Sequence, residues 1–441
     1  MYILKNKERK MSDKKSLDKK GFLKAVSPKK NPVNLFILIV AASSLVYILY
    51  SLILGNGKFA DIFFVRCSDF FMDFFNSIRD ASQGSRVYTE RGVIYPPMAN
   101  LFYLLMSRFT PEVYNDTSFE AAKRYSWTEY SSPMMLVVMV SVLFAFIFLF
   151  VAYKAMKNGS EYRRFAFASL AFFNVPMLYL TERGNIIILS LIALMVYAFT
   201  YNSQQSWKRE LGLICLAFSF SLKLYPVVFG WFLVADKRWK DALKCVIYGV
   251  LMLIIPSFFF GGPSCFYYVF LNIFDFSSGS GSTVTSVMDY LGVSATGQSI
   301  FGLCIYAWVL ICALCFVISP FVSAKAPRKT WMLGLLTILC IPSLTSVYSW
   351  TFLIIPMIIL FNKSKLSKAE WFELTVMCIP FAFVPFRFGF FVSSNTILVY
   401  VMTAVLSVYC VIDTVKDLVA FVKQNKADGI TLKQYARSLI K

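Results

Sequence analysis

Long runs of apolar residues, separated by short polar connectors, make up most of the chain. Residues 34–54 form the first run, and further runs follow up to residue 421. A run of about 20 apolar residues is long enough to cross the hydrocarbon core of a bilayer as an α-helix. The pattern therefore predicts an all-α, polytopic integral membrane protein with about 12 transmembrane helices.

The first interruption of this pattern is the largest. Residues 55–132 hold many charged residues and one apolar piece, 98–109, which is too short to cross a bilayer of about 30 Å. If that piece crossed as a tilted span, the cations at 154–164 would lie outside, against the preference for positive charge on the cytoplasmic side. We therefore expect 55–132 to form a large first outer loop that contains short helices.

The same charge rule divides the rest of the chain. It predicts a basic cytoplasmic leader over 1–33, a transmembrane domain over 34–422 and a cytoplasmic tail over 423–441. Residues 261–297 include the run SSGSGSTVTS and predict a flexible second outer loop. A signal peptide is not expected, because the first apolar run is long and lacks a convincing small-residue cleavage site.

Composition supports this class and narrows the chemistry. Hydrophobic residues make up 58% of the 441 residues and charged residues only 15%, a balance that a soluble domain could not bury. The net charge of +20 does not indicate nucleic-acid binding, because Lys and Arg concentrate at the N-terminus and in short connectors. The absence of histidine excludes Ser-His-Asp triads and His-based metal sites.

The distribution of acids indicates where chemistry takes place. Carboxylates concentrate in the predicted outer segments, so a reaction that needs one is expected at the outer face. Neither GxxxxGK[ST] nor a GxGxxG between a strand and a helix is present. An enzyme that works outside the cytoplasm without a nucleotide site must take its activated substrate from the membrane. The sequence thus favours a lipid-linked donor.

Three short motifs occur in order in the first half of the chain. Their residues are Ser68-Asp69-Phe70, Phe74, Phe75, Gly84, Tyr88 and Tyr95-Pro96-Pro97-Met98, then Glu182-Arg183-Gly184-Asn185, then Lys223-Leu224-Tyr225-Pro226. Together they resemble the GT-C-type glycosyltransferases of family 87, which use polyprenyl-phosphate sugars, typically mannose. The resemblance covers residues 34–260 by motif and the remainder by hydropathy.

Asp69 is the residue that we expect to act as general base. Glycosyl transfer needs a carboxylate that takes the proton of the acceptor hydroxyl as it attacks the anomeric carbon. One carboxylate as base, without a second as nucleophile, predicts inversion, and the resemblance implies the same role for Asp69. A solvated loop aspartate or a helix N-cap is the structural alternative. Asp73 and Asp61 are the next candidates for the base.

Three cations are candidates for binding the donor phosphate. Lys223 lies between apolar residues in a short membrane segment, where a charge is costly and therefore indicates function. Snorkelling to the interface is its alternative role. Arg183, at a helix junction, either binds phosphate or pairs with Glu182. Arg387, between two phenylalanines, is the third candidate.

Other motif residues are expected to shape the substrate site. The prolines fix the entry into the short helix that follows them, and the tyrosines either stack on a sugar ring or anchor the chain at the interface. The set is Tyr88, Tyr95, Pro96, Pro97, Glu182, Asn185 and Tyr225. No cofactor is implied with certainty. No ligand spacing demands a metal ion, although the Asp-rich outer loops offer carboxylates for a divalent cation.

The expected function is transfer of a sugar, with mannose implied by the resemblance, from a polyprenyl-phosphate carrier to a hydroxyl of a glycan or glycolipid acceptor. The expected location is a bacterial plasma membrane, with membrane lipid as a partner and the active site on the outer face. A transporter or flippase of lipid-linked sugar is the alternative from another class, and it predicts mid-membrane ionisable residues and internal repeats. A glycan polymerase or ligase shares the substrate class, and the lack of histidine argues against it.

Overall fold

The structure, a computed structural model, describes most of the chain with several gaps. The described residues are 31–55, 71–110, 131–279, 288–289, 291–323, 327–341, 347–384 and 393–428. They fold into α-helices joined by turns and short 3₁₀ segments. The helices are α1 (Val33–Leu54), α2 (Met72–Ala81), α3 (Pro97–Ser107), α4 (Ser131–Ala155), α5 (Glu161–Phe172), α6 (Val175–Arg183), α7 (Ile187–Thr200), α8 (Ser206–Leu222), α9 (Trp231–Ala235), α10 (Trp239–Ser257), α11 (Cys265–Gly279), α12 (Ala295–Val322), α13 (Pro327–Leu339), α14 (Ile354–Phe361), α15 (Lys368–Cys378) and α16 (Ser394–Ala427).

Five of the described helices are long and apolar enough to cross a membrane. They are α1, α4, α10 with its 3₁₀ extension, α12 and α16, and the bent pair α5–α6 counts as a sixth if it forms one broken span. These helices fit a membrane protein, as the apolar runs predict. The predicted number of about 12 spans is not confirmed.

Short apolar helices that are mostly buried lie among these longer ones. At 1.5 Å per residue, α7 is about 21 Å long and α14 about 12 Å, and most of their residues are buried. Trp331 of α13 stacks on both Phe229 and Phe232, with ring centroids 4.4 and 4.9 Å away. A hydropathy pattern cannot distinguish these protein-facing helices from lipid-facing spans.

The apolar stretch around residues 165–180 is broken in the middle. Helices α5 and α6 meet at an angle of 51°. Pro176 lies in the first turn of α6, and a proline there cannot continue the preceding helix. Asn174 fills the gap in hydrogen bonding, because its amide oxygen accepts from the Met177 N–H and its Nδ2 donates to the carbonyl oxygens of Leu170 and Ala171.

Two further elements concern the predicted outer loops. The short apolar piece at 98–109 is observed as α3, with Pro97 at its first position. The predicted second outer loop, 261–297, contains α11, and the part of the SSGSGSTVTS run after residue 279 lies outside the described residues. A search for apolar runs of spanning length does not detect α11, because this helix has only 15 residues. A small core that includes Phe74, Phe75 and Tyr103 holds α2 and α3 together.

Candidate active site

Helix α2 is amphipathic and turns its polar side toward an open cavity. Its opposite side buries Phe74, Phe75 and Ile78. The spacing i, i+3, i+4, i+7 places four residues on one face of a helix. The cavity-facing residues of α2 that follow this spacing are Asp73, Asn76, Ser77 and Asp80.

Asp73 is held by two side chains from the turn between α6 and α7. Its Oδ1 accepts a hydrogen bond from the Arg183 Nε at 3.1 Å and a second one from the same guanidinium through Nη2. Its Oδ2 accepts from the Asn185 Nδ2 at 2.8 Å. The same Nδ2 donates to the Tyr95 hydroxyl at 3.2 Å. With Lys223, described below, these residues form what we call the cavity cluster: Asp73, Tyr95, Arg183, Asn185 and Lys223.

The local backbone explains why this turn can approach α2. Gly184 ends α6 in the left-handed conformation, with φ +63°, and a Cβ at this position would lie 2.8 Å from the Cβ of Phe74. Glycine is therefore required both by the conformation and by the space. The Phe71 amide donates to the Glu182 carbonyl oxygen at 2.7 Å. Phe71 is itself left-handed, with φ +57°, which is uncommon for a residue with a side chain.

Lys223 lies at the break that follows α8, outside the five spans and the bent pair. Its Nζ lies 4.0 Å from the centroid of the Tyr95 ring, a cation–π distance. Burial lowers the pKa of Lys223 to about 8, and the nearby Asp73 carboxylate only partly offsets this effect. The 3₁₀ segment Tyr225–Gly230 begins two residues later, and Pro226 sets its start.

The cavity that these residues line has a volume of about 690 Å³. Asp80 contributes a second carboxylate, and the Arg79 Nε donates to it at 3.0 Å. Tyr225 contributes a hydroxyl that is buried without a hydrogen-bond partner among the described residues. Further lining residues are Asn76, Arg91, Pro96, Ile187, Ile273 and Tyr348.

The lining combines cations, amides and hydroxyls with apolar walls. Such an arrangement suits an anionic ligand with hydroxyl groups, because charge-assisted and amide hydrogen bonds are available next to surfaces on which a ring can pack. Over the described ranges, no group of three or more Cys, Asp or Glu residues is placed to hold a metal ion.

The structure brings most of the sequence candidates to this cavity. Asp73, Asn185, Tyr95, Pro96, Lys223 and Tyr225 line it. Arg183 is not a lining residue, but it donates to Asp73, which is. Glu182 is buried and does not line the cavity. Asp61, Asp69 and Arg387 lie outside the described residues, so the structure does not describe the first-choice base.

Two of the sequence candidates, Tyr88 and Pro97, support the structure around the cavity and do not line it. The Tyr88 hydroxyl donates to the Tyr95 carbonyl oxygen at 3.0 Å and accepts from the Asn100 Nδ2 at 2.8 Å, and its ring packs edge-on against Phe260. Pro97 begins α3. The predicted stacking of Tyr88 on a sugar therefore has no support from its position in the structure.

Sequence reasoning missed several polar residues of the cavity. Among them are Asn76, Ser77, Asp80, Arg91 and Tyr348. The first three share the helical spacing of Asp73, so the periodicity of α2 could have identified them. No comparable signal exists for Arg91, which follows a turn, or for Tyr348, which lies more than 250 residues farther along the chain.

Comparison with known proteins places the chain in a family. A family model described as glycosyltransferase family 87 matches residues 94–356, which is more than half of the chain. The matched range contains every member of the cavity cluster except Asp73. Searches among curated proteins and among solved structures find no match. The chain thus belongs to glycosyltransferase family 87, as its motifs had suggested.

Proposed function

We propose that the protein transfers a sugar, mannose by resemblance, from a polyprenyl-phosphate carrier to a hydroxyl group of a glycan or glycolipid acceptor, with inversion at the anomeric carbon. The observation that carries this proposal is the cavity cluster, which sets the cationic Lys223 beside polar and aromatic groups in a family 87 chain. The sequence contains no nucleotide-binding signature. Five of the described helices are long and apolar enough to cross a membrane, which supports a donor that arrives within the membrane.

The donor phosphate is assigned to Lys223 first. Its ammonium is stabilised by the Tyr95 ring, and the neighbouring carboxylate, Asp73, is already compensated by Arg183. A cation in this position favours the negative charge that develops on the leaving phosphate. Arg91, which lines the same cavity, is proposed as a second contact, and Arg387 remains a candidate.

Arg183 takes a different role in this proposal. Its guanidinium holds one oxygen of Asp73 through two donors while Asn185 holds the other oxygen. Both oxygens of Asp73 are thereby engaged by donors of the protein itself. Asp73 is therefore proposed to fix the geometry of the cavity rather than to act as the base.

The base is assigned to Asp69. It precedes Phe71 by two positions in the sequence, and the Phe71 amide donates to the Glu182 carbonyl oxygen beside the cavity cluster. Asp61 is the second choice. For the sugar, the buried Tyr225 hydroxyl lacks a partner among the described residues, so a hydroxyl of the ligand can satisfy it. The distribution of basic connectors supports an outer-face site in a bacterial plasma membrane.

The test is transfer of radiolabelled sugar from a polyprenyl-phosphate donor by the purified protein in liposomes. We expect Asp69→Asn to lower the transfer rate by about 10²- to 10⁴-fold, the usual contribution of a general base. Asp80→Asn is the matched control, because it makes the same chemical change in a carboxylate that lines the cavity, and we expect less than about a tenfold loss.

Three results would contradict parts of the proposal. A folded Asp69→Asn variant with full activity would exclude Asp69 as the base. Transfer from a nucleotide sugar but not from the lipid-linked donor would exclude the proposed donor. Movement of intact lipid-linked sugar across the liposome without a new glycosidic bond would favour a flippase instead.

A further inference from the structure

Helix α11 carries an exposed stripe of large apolar side chains. Tyr267, Phe270, Leu271 and Phe274 follow the spacing i, i+3, i+4, i+7 and are 65%, 59%, 42% and 69% exposed. This spacing places the four side chains on one face of the helix. A continuous exposed surface of this kind marks a contact with another apolar phase or partner.

The opposite face of α11 is fixed to the wall of the cavity. The Asn272 Nδ2 donates to the carbonyl oxygens of Tyr88 and Val93, at 2.9 and 3.1 Å. Val269 is buried in a second small core, which also contains Tyr88. Ile273 lines the cavity itself. Because these contacts fix the rotation of the helix, the aromatic stripe must point away from the protein.

The exposed stripe follows closely on the exposed end of a candidate membrane span. The span Trp239–Phe260 precedes α11, and the chain turns between them at two glycines with positive φ, Gly261 and Gly262. The end of that span exposes Ile255, Phe258 and Phe259, at 57%, 67% and 56%. Large exposed apolar side chains therefore occur on both sides of this turn, on the candidate span and on α11.

The length and composition of α11 decide how it meets the membrane. Fifteen residues extend about 22 Å as a helix, less than the hydrocarbon core of about 30 Å. A short helix with tyrosine and phenylalanine on one side is typical of the membrane interface, where aromatic rings reside at the level of the lipid headgroups. Asp275 marks a polar end next to the stripe.

We propose that α11 lies in the interface of the leaflet nearest the cavity, with its aromatic stripe in contact with lipid and its opposite face holding the cavity wall. The ligand class for this surface is membrane phospholipid. One helix then links the lipid surface to the cavity, which places the cavity entrance at membrane depth. The inference does not depend on the donor proposed above, because no contact with a cavity ligand enters it.

The test uses a fluorine label at position 270 in the full-length protein reconstituted in phospholipid nanodiscs. Site-specific incorporation of 4-trifluoromethyl-phenylalanine in place of Phe270 changes the side chain little and leaves the native cysteines in place. Broadening of the ¹⁹F signal by dissolved oxygen reports lipid exposure, and broadening by a water-soluble nickel chelate reports water exposure. Phe146, 67% exposed on a membrane span, is the lipid reference, and Glu90, in an exposed turn, is the water reference.

We expect the ratio of oxygen to nickel broadening at 270 to exceed that at 90 by at least about threefold and to approach that at 146. Equal nickel broadening at 270 and 90 would overturn the proposal, because the stripe would then face water. Protection from both reagents would also overturn it, because another protein surface would then cover the stripe. The same label at Phe274 repeats the measurement one turn away, so that a local folding defect at 270 does not decide the result.

Discussion

Two groups of charged residues in this molecule both combine cations with carboxylates, but they differ in whether every cation is paired. One is the cavity cluster. The other, which we call the helix-end cluster, joins α13, α15 and α16. It consists of Arg328, Lys329, Lys363, Glu370, Glu373, Asp413 and Asp417.

Every charged side chain of the helix-end cluster takes part in an ion pair. Arg328 contacts Glu370 at 3.1 Å and Glu373 at 2.9 Å, and Lys329 contacts the carboxylates of Asp413 and Asp417. Both cationic side chains are more than 90% buried. Arg328 and Lys329 thus have two carboxylates each, and Lys363 pairs with Glu370, so every cation of this cluster is already compensated.

The cavity cluster differs in one charge. Asp73 and Arg183 compensate each other, whereas Lys223 forms no ion pair among the described residues and faces an aromatic ring beside the cavity. The difference teaches that a buried charge indicates a binding site only when it remains uncompensated next to an open volume. By that criterion Lys223 is the informative residue, and Arg328 and Lys329 are structural.

The largest expected effect tests this distinction at Lys223. Replacing it by Met removes the uncompensated charge but keeps a side chain of similar length, and we expect transfer to fall by about 10²- to 10³-fold, as for the loss of one transition-state charge contact. Stability should not decrease, because a desolvated cation is removed. Lys244→Met is the control at an exposed ion pair with Glu210. Full activity of Lys223→Met would contradict the phosphate assignment.

The next effect is on stability at the helix-end cluster. Arg328→Met leaves Glu370 and Glu373 without their shared guanidinium, and we expect the free energy of unfolding to fall by about 3–5 kcal/mol. Transfer per folded molecule should stay unchanged. Unfolding in mixed micelles and the transfer assay measure the two quantities separately.

Lys363→Met provides the comparison for Arg328→Met. Its side chain is 39% exposed, so the loss of its pair with Glu370 should cost less than about 1 kcal/mol. If Arg328→Met abolished transfer in molecules that remain folded, the cluster would have a functional role, and the distinction drawn above would be wrong.

A smaller effect is expected at the turn that brings Arg183 to Asp73. In Gly184→Ala, the new Cβ would lie 2.8 Å from the Cβ of Phe74 in a left-handed backbone. We expect the free energy of unfolding, measured in mixed micelles, to fall by about 2–3 kcal/mol, because overpacking adds to the cost of a left-handed backbone. Gly92→Ala is the matched control, because its φ is +62° and its Cβ would meet open space. Equal losses for both variants would show that the contact with α2 does not matter.

The smallest effect concerns pH. Since the pKa of Lys223 is lowered to about 8, its charge is present below that pH and is lost above it. We expect kcat/KM, which reports the free enzyme, to fall about tenfold between pH 7 and pH 9. Lys223→Arg keeps its charge over this range and should flatten the alkaline limb. A limb that is unchanged in Lys223→Arg would assign it to another group.

The sequence allowed the class of the fold and much of the site to be predicted, but not how the parts meet. Lys223 could be chosen because a charge in an apolar segment is costly, and Asn185 because it belongs to the motif Glu182-Arg183-Gly184-Asn185. The partner of Arg183 could not be predicted, because Asp73 lies 110 positions away and the contact depends on the close approach at Gly184. Hydropathy also could not show that α7 and α14 are short helices packed mostly against protein.

The amide of Asn174 has a consequence for how the cavity holds its shape. Its three hydrogen bonds join the last turn of α5 to the first turn of α6, and its side chain is fully buried. Straightening the bend would break these bonds in a place without water to replace them. We therefore expect the angle between α5 and α6 to stay fixed rather than to act as a hinge. A fixed angle keeps Arg183, the last residue of α6, in contact with Asp73 while ligands enter and leave.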